Sequence, residues 1–344
     1  MLAAIYFMVP FLSVRNVFFT KSQMIKPSYF EQSKPLPFGE RLERGFTYYN
    51  SKLLLFGEYG LMFDAMALSV PFDQFSGCLD FDTHHSHQES TAEIHNFNEH
   101  LKTGDTSQKL HFSFDPEGLG KDIQKGLYFN SNIPRQYGVG SSGALVAALF
   151  SRYASNSVPE NEFELLKADF ALLESFFHGK SSGIDPLISF LNRPLLIDSK
   201  KKIQTVQLDL VQTGLSFALI DTGTTGATGP LVKHFIDLYN FPEFRMAFEK
   251  QFVPANNGCI ESLLNGDQQN FFLFLEQLVH FQLQHFRQMI PENFHAIISD
   301  ALSNKVYIKL LGSGGGGFLL AISETDKSMK EWADRNGVKL LIIA

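Results

Sequence analysis

Apolar residues recur along this chain with two different periods, and the change from one to the other outlines its elements. Leu53, Leu54, Leu55 and Phe56 form a short unbroken run closed by Gly57, which predicts a strand within 46–57. Similar runs predict strands near 108–114, 125–130, 194–198, 203–208 and 215–221. A strongly apolar helix opens at Ser142, and Phe163, Leu166, Phe170, Leu173 and Phe177 form one stripe of a helix over about 160–178. From about 224 the pattern is that of amphipathic helices. Thr228 reads as an N-cap before Gly229 and Pro230, Asp267 as the cap of a long aromatic helix to about 289, and Pro291 as the opening of the next. The chain then predicts a strand at 306–311, a loop at 312–317, a strand at 318–322, a helix at 326–335 and a strand at 339–344. Strands and helices mix in both halves, which predicts an α+β protein of two domains with a boundary near 222.

One polar position interrupts this pattern in an informative way. Glu174 lies four residues after Phe170 and three before Phe177, so its carboxylate stands beside the apolar stripe. An acid there needs a partner. Spacing leaves two accounts open, a boundary residue reaching solvent and a carboxylate holding a metal or another cation.

Composition narrows the class. At 344 residues, with 44% hydrophobic and 19% charged residues, the chain is an ordinary globular protein of about two domains. Net charge is −7 and the only compact basic run is Lys200, Lys201 and Lys202, which reads as a turn between strands and gives no footprint for nucleic acid. Cys78 and Cys259 form neither a disulfide framework nor a metal-ligand spacing, and a reducing, cytoplasmic setting is expected. The first twenty residues are apolar but carry Pro10 and Arg15 and are too broken to span a bilayer. Residues 1–45 are therefore expected to be an N-terminal extension, its first twenty residues an untranslated leader included by a wrong start choice, with Met24 as one alternative start; a weak membrane anchor is the rival. His84, His85 and His87 sit among polar residues and are expected in a solvated loop.

The richest chemistry lies in NIPRQYGVGSSGALVAALFSRY, residues 132–153, where a glycine-serine loop runs directly into an apolar helix. Gly138 and Gly140 allow close approach of a ligand to the backbone, and Ser141 and Ser142 stand where first-turn N–H groups have no intrahelical partner. A helix start of this kind accommodates phosphate. The spacing is not GxxxxGK[ST], since no lysine follows the second glycine. Local sequence alone is equally met by a Ser-capped core helix after a glycine turn.

Three further pieces fall in order around that loop: SKLLLFGEYG at 51–60, HGKSSGID at 178–185 and KLLGSGGGGF at 309–318. Together the four resemble the GHMP kinase family, named for galactose, homoserine, mevalonate and phosphomevalonate kinases, over about residues 46–344. Within it, Ser51, Lys52, Leu55, Gly57 and Glu58 follow the GKxxLxGEH pattern of members acting on mevalonate, as do HGKSSGID and the four glycines 314–317. Tyr59 stands where those members carry a substrate-contacting histidine, and GEY with GSSGA is similar to the phosphomevalonate enzymes instead.

The resemblance implies a fold and a set of roles. The fold is an ATP-binding domain of the ribosomal protein S5 domain 2 type at 46–222 and a ferredoxin-like domain at 223–344. The activity is transfer of the ATP γ-phosphate to a small alcohol, mevalonate first, with phosphomevalonate or a sugar as alternatives. Diphosphomevalonate decarboxylation and non-catalytic ligand sensing are weaker fits. Asp185 matches the catalytic aspartate, Lys52 the lysine near the acceptor hydroxyl, and Glu174 and Ser142 the residues on Mg²⁺. Gly138, Gly140, Ser141, Ser142 and Gly143 are expected at the ATP phosphates, and Glu58, Tyr59, Thr228 and Gly314 beside the acceptor. No nucleic-acid or membrane partner is expected, and a homodimer is a candidate assembly. Asp185 before Pro186 also reads locally as a helix N-cap, Lys52 as a surface lysine and 312–317 as a flexible hairpin, although its four consecutive glycines beside a strand also permit close packing against the expected phosphate loop.

Overall fold

The computed structural model describes residues 47–82, 84, 86–103, 106–155 and 162–344. The expected leader, Met24 and His85 lie outside the described residues. The first unit comprises strands β1 (Tyr49–Phe56), β2 (Ala67–Phe81) and β3 (Leu127–Ser131), helices α1 (Gln88–Thr103) and α2 (Pro116–Gln124), then α3 (Ser141–Tyr153), α4 (Phe163–His178) and α5 (Ile184–Leu191), and strands β4 (Leu195–Ile197) and β5 (Ile203–Thr205). Its sheet is antiparallel in the order β1-β2-β4-β5, with β3 also paired to β2. Fifteen-residue β2 is the spine of this sheet, since three other strands bond to different stretches of it. Helices α3, α4 and α5 bury Leu145, Leu149, Phe150, Leu166, Phe170, Leu187 and Ile188 in a core of their own against the sheet.

The second unit contains β6 (Ser216–Asp221), α6 (Thr228–Tyr239), α7 (Val253–Asn265), α8 (Gln268–His285), α9 (Phe294–Ser303), β7 (Tyr307–Leu310), β8 (Phe318–Ser323), α10 (Asp326–Asn336) and β9 (Leu340–Ile342). Its antiparallel sheet runs β9-β6-β8-β7. The two units share one continuous apolar core: Phe75 of β2 stacks on Phe318 of β8, and Phe56 of β1 meets Phe271 of α8 edge to face. This joint fixes how the faces of the cleft between them are set.

Several expectations change. β6 belongs to the second sheet, so the sheets change over before Ser216 and not near 222, because β6 finds its partners in β8 and β9 about 100 residues onward. The strand expected at 108–114 is a short helix (Thr106–Lys109) and a two-residue strand (Ser113–Phe114). Asp267 caps α8 as expected, accepting from the Asn270 N–H at 3.1 Å, but the helix stops at His285 and a 3-10 turn carries the chain to Met289. Lys200, Lys201 and Lys202 do form the turn between β4 and β5, although Lys201 Nζ donates to the Phe63 carbonyl. His84 and His87 donate backbone N–H groups to Asp82, as in an ordered polar loop. Among the described residues no helix is long and apolar enough to cross a membrane, and both cysteines are buried.

Candidate active site

The cleft is built from β1 outward. Lys52 lies inside β1, and its backbone N–H bonds to the Val139 carbonyl at 3.0 Å, which ties the glycine-serine loop to the strand. Its side chain is nearly buried, and Nζ reaches Asp185 Oδ1 at 3.1 Å. Gly140 sits between them with φ 82°; a Cβ there would fall 3.0 Å from Lys52 Cγ and 3.7 Å from Asp185 Oδ2. At Gly143 a Cβ would lie only 2.8 Å from the Asp185 carbonyl carbon and the Pro186 nitrogen. The first turn of α3 can therefore lie against the first turn of α5 only because Gly143 has no side chain.

Asp185 is not the N-cap of α5. Gly183, with φ 74°, occupies that position, and the aspartate stands in the first turn with its carboxylate on Lys52. About a third of that side chain is exposed, toward the cleft. The cap of α3 is Gly140, so neither Ser141 nor Ser142 caps it. Ser142 Oγ instead donates to Glu174 Oε1 at 3.0 Å.

Glu174 is 4% exposed, which overturns the account in which it reaches solvent. Its second oxygen accepts from Ser181 Oγ, and the Gly183 N–H donates to the same hydroxyl at 3.0 Å. Burial, reinforced by the charge of nearby Asp185, pushes the Glu174 carboxyl up to about 7 against the pull of the two hydroxyl donors. Two carboxylates and a serine hydroxyl thus meet beside a helix start, an all-oxygen set of low protein ligand number. Such a set fits Mg²⁺ that keeps water and phosphate as its remaining ligands. Among the described residues no group of three or more His, Cys, Asp or Glu side chains gathers to form a closed metal cage.

The cleft has a volume of about 790 Å³ and brings together Lys52, Gly138, Gly140, Ser141, Ser142, Glu174 and Asp185 with Thr228 and Gly314 of the second unit. Gly143 lies behind it, at the crossing of α3 and α5. Thr228 is the first residue of α6, not its cap; Ala227 holds that place, and Thr228 Oγ1 is 3.0 Å from Ser313 Oγ. The loop 312–317 packs on the glycine-serine loop, since a Cβ at Gly317 would fall 2.7 Å from the Tyr137 carbonyl oxygen. Like Gly143, the expected site residues Glu58 and Tyr59 do not line the cleft. Glu58 is fully buried against Lys309 Nζ, and the Tyr59 hydroxyl donates to the Ser313 carbonyl. Sequence reading missed Ser181, Lys180, Ser313 and Arg135, all on the cleft; the hydroxyls flanking Gly179 and Gly183 in HGKSSGID were the available signal for Ser181.

No protein-family model and no curated protein matches the sequence. The solved structures do match. A mevalonate kinase of L. major in complex with R-mevalonate superposes with a TM-score of 0.61 at 15% identity, covering 87% of this chain and 95% of that one. A phosphomevalonate kinase of Streptococcus pneumoniae, in complex with phosphomevalonate and AMPPNP, gives 0.57 at 16%, with 86% and 98% covered. The galactokinase of Lactococcus lactis with galactose gives 0.56 at 13%, with 87% and 93% covered. This chain has the two-unit α+β fold that these GHMP kinases share.

Proposed function

We propose that a chain with this fold and this cleft is a Mg²⁺-dependent kinase that moves the γ-phosphoryl group of ATP to the hydroxyl of a small alcohol, with mevalonate as the first candidate. The observation that carries the proposal is the Lys52–Asp185 pair at 3.1 Å, lying against the glycine loop and next to the hydrogen-bonded Ser142–Glu174 pair. Phosphoryl transfer asks a protein for positioning and charge compensation and for little covalent chemistry.

Each residue then has a task. The N–H groups at the start of α3 and the open backbone of Gly138 and Gly140 receive phosphate oxygens. Ser142 and Glu174 would hold Mg²⁺, which supplies charge neutralisation on the β- and γ-phosphates when bound. Asp185 orients the acceptor hydroxyl and takes its proton, a role typically worth about 10² to 10⁴ in rate. Lys52 stabilises the negative charge that develops on the acceptor oxygen. Thr228 and Ser313 offer hydroxyls to the polar groups of a small alcohol from the opposite wall.

Mevalonate is favoured by HGKSSGID and the four-glycine loop; Tyr59 in the histidine position favours phosphomevalonate as the second reading. A coupled ADP-release assay over mevalonate, phosphomevalonate, galactose and homoserine tests both. Mg²⁺-dependent turnover with mevalonate is expected, turnover with phosphomevalonate alone selects the second reading, and ADP release accompanied by carbon dioxide contradicts simple kinase action. No ADP release with any of the four overturns the reading for these acceptors.

A further inference from the structure

Glu58 and Tyr59 leave β1 at the point where the first unit faces the second, and both side chains fasten onto the far side. Lys309 of β7 pairs with Glu58 inside the shared core, where neither side chain is exposed. The same ammonium donates to the Leu310 carbonyl at 2.6 Å and lies 5.3 Å over the Phe56 ring. Tyr59 sends its hydroxyl to the Ser313 carbonyl at 2.5 Å, and its ring stacks on Phe235 of α6 at 4.6 Å. Its backbone φ is 59°, a conformation that a bulky side chain keeps only when its surroundings over-determine it.

The two anchor points, Lys309 and Ser313, bracket the entry to the glycine loop. The far end of that loop is tied separately, by the Gly315 N–H to the Met289 carbonyl and the Gly317 N–H to the Thr224 carbonyl, both at 2.6 Å. Ser313 in turn carries the hydroxyl that meets Thr228 on the cleft wall. We propose that Glu58 and Tyr59 are positioning residues, a two-point clamp that reaches across the units and fixes Ser313 and Thr228 so that the cleft fits its acceptor. The acceptor part of this inference rests on the kinase reading above; the clamp itself does not.

Tyr59→Phe tests it, because phenylalanine keeps the ring stack and removes only the hydroxyl. The expected result is an acceptor KM raised about 3- to 10-fold, the scale of one hydrogen bond, with the ATP KM unchanged. Amide hydrogen exchange, followed without substrates, should accelerate in the peptide covering 311–317 and stay constant in 138–143. A parent-like acceptor KM, equal rises in both KM values, or unchanged exchange at 311–317 overturns the clamp. If the parent chain turns over no acceptor, the kinase reading fails, and the exchange comparison alone decides for or against the clamp.

Discussion

Glu174 is the most deeply buried charged side chain lining the cleft. Its carboxyl is raised from an ordinary 4.5 to about 7, first by burial and then by Asp185. Between those two values the folded protein binds a proton that the unfolded chain has released, so stability falls as pH rises through this window. In metal-free protein the loss from this one group ends only once the pH has passed above about 7, where the folded state releases the proton as well. Glu174→Gln should flatten that slope, and urea melts in chelator at about pH 5 and about pH 8 measure it. A Glu174→Gln variant with the parent's pH slope would show that the carboxyl does not carry the effect. Added Mg²⁺ should restore the parent's stability at the higher pH and leave the glutamine variant unmoved, since the ion offsets the charge that burial penalises.

Two short helices cross where the chemistry is concentrated, and the crossing depends on a single missing side chain. With a Cβ at Gly143 only 2.8 Å from the backbone of Asp185 and Pro186, Gly143→Ala must push α3 from α5. Overpacking of this kind costs about 1 to 3 kcal/mol, and the displacement falls on the residue that pairs with Lys52. Gly143→Ala should therefore lower both the thermal midpoint and turnover; a parent-like midpoint would mean that the helices are free to separate. Elements such as this were legible where local signals were strong. The loop into α3, the Asp267 cap, the stripe of α4 and the closing strand-helix-strand of 307–342 all follow from spacing and capping. Strand β2 was not, because Pro71, Asp73, Gln74 and Gly77 break its alternation and what holds it is pairing with the preceding strand β1 and with the more distant β3 and β4. Helix α1 was missed because a mostly polar sequence turns only Ile94, Phe97, Asn98 and Leu101 inward. Of the residues on the cleft, Lys52, Gly138, Gly140, Ser141, Ser142, Glu174, Asp185, Thr228 and Gly314 could be named from motifs, while Arg135, Lys180, Ser181 and Ser313 were missed; the places of Glu58 and Tyr59 were not legible, since their partners lie 251 and 254 residues away.

The two units act as one body through their common core, and the Glu58–Lys309 pair is the charged part of that joint. Burial pushes the Glu58 carboxyl up while Lys309 opposes it, and Glu58 Oε2 has no hydrogen-bond partner. A buried pair of this kind adds little over an apolar replacement but is costly to halve. Lys309→Met alone should destabilise the protein by about 3 to 5 kcal/mol, while Lys309→Met combined with Glu58→Leu should recover most of that loss. Denaturant melts of the two singles and the double give the coupling; additive losses would mean that the residues do not act as a pair. The cleft opens beside this joint, so loosening it changes the spacing between Asp185 on one unit and Thr228 on the other.

Transfer of the γ-phosphoryl group itself tests the central reading most directly. ATP labelled at the γ-phosphorus, Mg²⁺ and mevalonate are incubated with the parent chain and with Asp185→Asn, and the label on the acceptor is counted. The account predicts label on the acceptor hydroxyl with the parent. With a folded Asp185→Asn protein of near-normal melting temperature, it predicts a rate lower by about a hundredfold or more, because asparagine keeps the shape of the side chain in the first turn of α5 but cannot take the proton. Label that never leaves ATP for mevalonate, phosphomevalonate, galactose or homoserine, or parent-like transfer by Asp185→Asn, would contradict it.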